Sequence, residues 1–222
     1  MTSTATRPRA ARVRAQQQQQ ALLDDRAHPR LVRMASLLRK LPGNRVLDVG
    51  CASGMLGRVL GPAYEYYGCD AKDHAARHLL PGRFLQVDFN DNYDLSHFRG
   101  RGIELAHLGG ILEYLAAPAR LLESLRELLG DRGHLVASIV NFRCERYAPA
   151  DAHHPAWIYR PSLGQLRSLL AQCGWQMLEA VPFSGKDGLG DLLFAGARLT
   201  LGPEHAWVRR QTRQFLLTAR AG

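Results

Sequence analysis

The chain has 222 residues, 46% of them hydrophobic, and a formal net charge of +9. That length suits one α/β domain with tails, and the apolar fraction is enough for a sizeable core. No apolar run nears the roughly 20 residues that cross a bilayer, the N-terminus carries arginines without an apolar signal core, and the four cysteines form no Cys-x-x-Cys pair; a disulfide-free cytoplasmic protein without membrane contact is expected.

The charge is unevenly placed. Residues 1–20 carry four Arg and no acid, residues 21–40 a net +3, and residues 197–222 a net +4, which leaves residues 41–196 at −2. Nucleic acid is therefore an unlikely partner for the central part, since nucleic-acid enzymes carry positive charge around the cleft. Lysine occurs only at Lys40, Lys72 and Lys186, an arginine bias that suggests a GC-rich bacterial genome.

Residues 1–22, which include Gln16–Gln20, read as a disordered Arg/Gln-rich tail. The domain is expected over 23–199, and 200–222 read as a basic C-terminal extension. Leu31, Met34, Leu37, Leu38 and Leu41 recur at helical spacing until Pro42-Gly43 stops them. Strands are expected near 45–49, 64–69, 83–88, 103–108, 134–140, 175–182 and 191–198. Helices are expected near 54–60, 72–80, 117–129 and 162–173. In the third of these, Leu121, Leu122, Leu125, Leu128 and Leu129 share one face, and Gly130-Asp-Arg-Gly133 turns the chain into the next strand. The alternation predicts an α/β fold, a doubly wound and mostly parallel sheet.

The most informative stretch is Arg45-Val-Leu-Asp-Val-Gly-Cys-Ala-Ser-Gly54, an apolar strand running into a glycine loop and then a helix. Such a first βα turn is where doubly wound folds bind nucleotide-bearing cofactors. A dinucleotide fingerprint fails here, because Ala52 and Met55 stand where G-x-G-x-x-G needs glycine. Asp48-x-Gly50-x-x-x-Gly54 resembles motif I of the class I S-adenosylmethionine (SAM) methyltransferases, with Ala52 where that family usually has glycine. Two further acids follow in order. Asp70 ends the second expected strand 20 residues after Gly50, and Asp88, followed by Phe89, ends the third.

The resemblance implies a Rossmann-like seven-stranded sheet closed by a final antiparallel strand, with SAM as cofactor and S-adenosylhomocysteine (SAH) as product. It places the cofactor on the loop Gly50, Cys51, Ala52 and Gly54, with Asp48 toward its amino acid end, Asp70 on the ribose, and Asp88 with Phe89 on adenine. Leu108 to Tyr114 would border the transferable methyl, Tyr114 standing where many small-molecule methyltransferases have histidine after Leu-Glu. The Asp/Asn-Pro-Pro-Tyr/Phe signature of amino-group methylation is absent, and no metal is expected.

His107, His153 and His154 are the candidate bases and Tyr114 a candidate orienter. The segment 142–160 exceeds the usual connection length and concentrates Arg, His and aromatic residues, as binding loops do. A small-molecule or glycan-like acceptor, methylated at oxygen or carbon, is the leading expectation. The alternatives are an RNA or protein methyltransferase using its basic tails, and a weakly catalytic partner protein similar to the MetW-type proteins of methionine biosynthesis, which Glu113-Tyr114 and Asn141-Phe142 faintly resemble. The sequence leaves the oligomeric state open.

Overall fold

Val46, Leu47, Asp48 and Val49 are all buried, because the first strand, β1 (Arg45–Val49), runs near the middle of a sheet covered on both faces. The computed structural model describes residues 28–142, 157–183 and 212–222, with Thr200 and Val208. In chain order these form α1 (Pro29–Leu38), β1, α2 (Met55–Leu60), β2 (Glu65–Asp70), β3 (Phe84–Gln86), β4 (Leu105–Gly109), α3 (Pro118–Leu129), β5 (His134–Val140), α4 (Leu163–Gln172), β6 (Trp175–Phe183) and β7 (Gln214–Ala221). The seven strands lie in the order β3-β2-β1-β4-β5-β7-β6. The first five are parallel, and β7 runs antiparallel to both β5 and β6. This is the doubly wound architecture expected.

Local sequence explains the helix limits. Pro29 opens α1, where a missing N–H costs nothing, and the His28 side chain accepts from the Arg30 N–H. Met34, Ala35, Leu37 and Leu38 form its buried stripe. Pro118 opens α3, Gly130 ends it, and Leu121, Leu122, Leu125 and Leu129 pack on the sheet. Ser162 and Gln165 form a reciprocal capping box on α4. Each buried leucine contributes about 1.5–3 kcal/mol. An exposed pair such as Arg126–Asp131 contributes roughly 0–1 kcal/mol, so packing on the two sheet faces holds the fold.

Three expectations need correction. The last described strand lies at 214–221, and residues 191–198, where a strand was expected, lie outside the described ones. The segment read as a basic extension thus supplies a strand between β5 and β6: Phe215, Leu216 and Leu217 are buried, and Arg220 occupies the exposed position. The helix expected over 72–80 is a short 3-10 turn, Asp73–Arg77, with Ala75 its buried anchor and Pro81 close behind. The third strand shrinks to 84–86, since it pairs only with β2 at the sheet edge.

Candidate active site

The β1–α2 loop is built by backbone geometry before any side chain matters. Gly50 takes φ +73° and Gly54 φ +75°, left-handed values that favour glycine. The Gly50 and Cys51 N–H groups both donate to the Cys69 carbonyl on β2, at 2.8 and 3.1 Å. The Ala52 N–H donates to Asp70 Oδ2 at 2.9 Å, and the Lys72 N–H donates to Asp70 Oδ1 at 3.0 Å. Asp70 therefore clips the glycine loop to the end of β2 and keeps further lone pairs on each oxygen. A Cβ on Gly50 would come within 3.0 Å of Ile111 Cδ1, so a side chain there would close the space above the loop.

That space is a cavity of about 160 Å³ lined by Gly50, Asp70, Ala71, Asp88, Phe89, Asn90, Ile111, Tyr114 and Leu115. Two carboxylates, Asp70 ending β2 and Asp88 two residues beyond β3, thus face one hollow at the carboxyl edge of the sheet, the position where open α/β sheets bind ligands. Small-molecule pockets usually measure about 300–1,000 Å³, so the hollow can enclose only part of a ligand of that size.

The methyltransferase-domain family matches residues 16–180. The chain belongs to that family. No curated protein matches the sequence significantly. Solved structures share the fold. A SAM-dependent methyltransferase from Mesorhizobium loti superposes with a TM-score of 0.58 at 19% identity, over 85% of this chain and 95% of that one. The Burkholderia thailandensis 1,6-didemethyltoxoflavin-N1-methyltransferase, solved with its substrate and SAH, gives 0.60 at 14% identity over 100% and 93%. A Haloferax volcanii protein described as a methyltransferase, in complex with the Trm112 activator, gives 0.63 at 17% identity over 98% and 99%.

The chain thus carries a methyltransferase domain, and its crevice combines a loop kept bare by Gly50, an acid ending β2, a second acid just beyond β3, and the ring of Phe89 edge-to-face with Tyr93, at 5.0 Å between centroids. Of the residues expected to serve the site, Gly50, Asp70, Asp88, Phe89 and Tyr114 line the cavity. Cys51, Ala52 and Gly54 form the loop without reaching that wall. Cys51 lies buried with its thiol over Gly68, and burial drives the thiol pKa far up, so it acts as a small apolar residue. Leu108 is completely buried within the core on the sheet face covered by α3.

Asp48 and His107 lie beneath the loop. Asp48 is 3% exposed, with Oδ1 accepting from His107 Nδ1 at 2.6 Å and Oδ2 from the Tyr66 hydroxyl at 2.5 Å. His107 is 2% exposed and absent from the cavity wall, so its candidacy as a base lacks a route to substrate. Burial, then the neighbouring Asp48 carboxylate, push the Tyr66 phenol well above its usual range and keep it a donor. His153 and His154 lie outside the described residues.

Asn90 and Arg30 were not singled out for these roles from sequence. Asn90 lines the cavity and clamps the opposite wall: its Nδ2 donates to the Tyr114 carbonyl at 3.0 Å, and its Oδ1 accepts from the Ala116 N–H at 2.8 Å. Arg30, near the start of α1, stands over the end of β4, where Nη2 donates to the Gly109 carbonyl at 3.3 Å. Glu113 is 1% exposed, its Oε1 accepts from the Val140 N–H at 2.8 Å, and its carbonyl accepts from Ile158 and Tyr159. It thereby joins the end of β5 to residues 158–159, and Phe142 and Trp157 make an edge-to-face contact. Of Asn90 and Arg30, only the Asn90 pattern, an amide two residues beyond an acid that follows a strand, left a readable trace, and it is a weak one.

Proposed function

We propose that the chain methylates a small-molecule or glycan-like acceptor at oxygen or carbon. The observation that carries the cofactor half is the cavity in which Gly50, Asp70, Asp88 and Phe89 meet at the carboxyl ends of β1, β2 and β3. The acceptor half rests on the net −2 of residues 41–196, which offers a polyanion no basic cleft. A cytoplasmic location fits the three described cysteines, all free.

When bound, SAM would supply a sulfonium methyl open to in-line attack by the acceptor, with SAH as the neutral thioether leaving group and loss of positive charge. The protein's part is placement and exclusion of water. In this reading Asp70 accepts from the ribose hydroxyls through lone pairs left by Ala52 and Lys72, and Asp88 and Phe89 hold the adenine. Arg30, over Gly109 and Gly110, meets the α-carboxylate at the amino acid end. Tyr114 borders the methyl and orients the acceptor, while His153 and His154 remain the candidate bases for a protonated nucleophile.

Labelled-methyl SAM incubated with the protein and fractionated cell extract tests this. Label is expected in the low-molecular-weight fraction, in a form stable to mild acid. Label confined to RNA or protein would replace the acceptor class, and no transfer with a copurifying acyltransferase would favour the partner-protein reading.

A further inference from the structure

Gly57 and Gly109 have no backbone reason to be glycine. Gly57 lies inside α2, where glycine costs about 1 kcal/mol relative to alanine. Gly109 ends β4, and neither residue takes a positive φ. Each instead lies against a ring. A Cβ at Gly57 would come within 2.9 Å of Tyr66 Cγ, and a Cβ at Gly109 within 2.5 Å of His107 Cε1. These are the two rings that hold Asp48. Asp48 is also the polar partner that each ring finds: the other nitrogen of His107 has no hydrogen-bond partner among the described residues. Strand register supports the arrangement, because Asp48 pairs with His107 on β4 and with Gly68 on β2.

We infer that His107 and Tyr66 are positioning residues for the cofactor loop, clamping Asp48 from β4 and β2 and so fixing the backbone that turns at Gly50. The clamp reaches both ends of that loop. Asp48 precedes Gly50 by two residues, and the Tyr66 hydroxyl lies 3.9 Å from the site of a Cβ on Gly54. Gly57 and Gly109 are the clearances that allow both rings to lie flat. The inference deepens the SAM reading and depends on it.

The test measures SAH affinity by calorimetry beside the thermal midpoint. His107→Leu fills the ring's space but donates nothing to Asp48, whereas His107→Asn keeps a donor near Nδ1. Loss of one hydrogen bond to a charged acceptor predicts an SAH Kd raised about tenfold for His107→Leu, and within about threefold of wild type for His107→Asn. Tyr66→Phe is expected to act like His107→Leu. Gly109→Ala keeps every polar group and only displaces the imidazole, so it carries the test if His107→Leu does not fold; a rise of about fivefold or more is expected. Unchanged affinity in folded His107→Leu or Gly109→Ala overturns the clamp. An equal loss in His107→Asn and His107→Leu also overturns it, since the donor would then be irrelevant. Wild-type protein that binds no SAH overturns the cofactor assignment instead, which keeps the two failures distinct.

Discussion

Ala52 holds a left-handed backbone, φ +47°, the one such non-glycine among the described residues. The left-handed region costs a residue with a Cβ about 1–2 kcal/mol, and glycine returns roughly 0.4–1 kcal/mol of that through the unfolded chain. Ala52→Gly is therefore expected to stabilise by about 0.5–1 kcal/mol, seen as a raised thermal midpoint with SAH affinity retained. Glu113 shows a pH effect of definite sign. Burial raises its carboxyl above the ordinary 4.5, with the Val140 N–H and Arg30 opposing. A raised acid binds its proton more tightly in the folded state, so its contribution is full below 4.5 and is lost as pH rises through the folded value. Glu113→Gln keeps an acceptor for Val140 and cannot ionise. Its midpoint should gain on wild type as pH rises from 4.5 through the folded value; a constant difference over that rise would contradict the buried-acid account.

At the scale of elements, the strands that carry the site were readable because each is an apolar run ended by a glycine or an acid: β1 by Gly50, β2 by Asp70. The β7 strand was not. Thr218, Arg220 and the arginines before it make 212–222 look like a charged tail, whereas Phe215 to Leu217 fill the sheet between β5 and β6. Removing residues 212–222 should accordingly abolish cooperative unfolding by circular dichroism, where loss of a mere tail would leave it intact. Asn90 joins the loop after β3 to the stretch before α3 through two hydrogen bonds and is itself exposed. Asn90→Ala should leave the fold in place while raising the SAH Kd about five- to thirtyfold. The clamp on Asp48 was illegible for a physical reason. Tyr66, Asp48 and His107 are distant in sequence and read as unrelated core positions until strand register sets His107 beside Asp48 and the Tyr66 hydroxyl reaches the same carboxylate.

For the whole molecule, the charge pattern separates a weakly acidic residue range, 41–196, from basic ends. If the acceptor is a small molecule, removing residues 1–25 should leave its methylation rate within about twofold; a collapse of transfer would move the acceptor to an anionic macromolecule. Everything else depends on the crevice above Gly50, where acids at the end of β2 and just beyond β3 converge. Its most direct test is calorimetry of SAH with wild-type protein and Asp70→Ala. The account predicts one SAH per chain for the wild type and at least about tenfold weaker binding for the folded variant. Folded wild-type protein that binds no SAH, or an Asp70→Ala variant that binds it equally well, would contradict it.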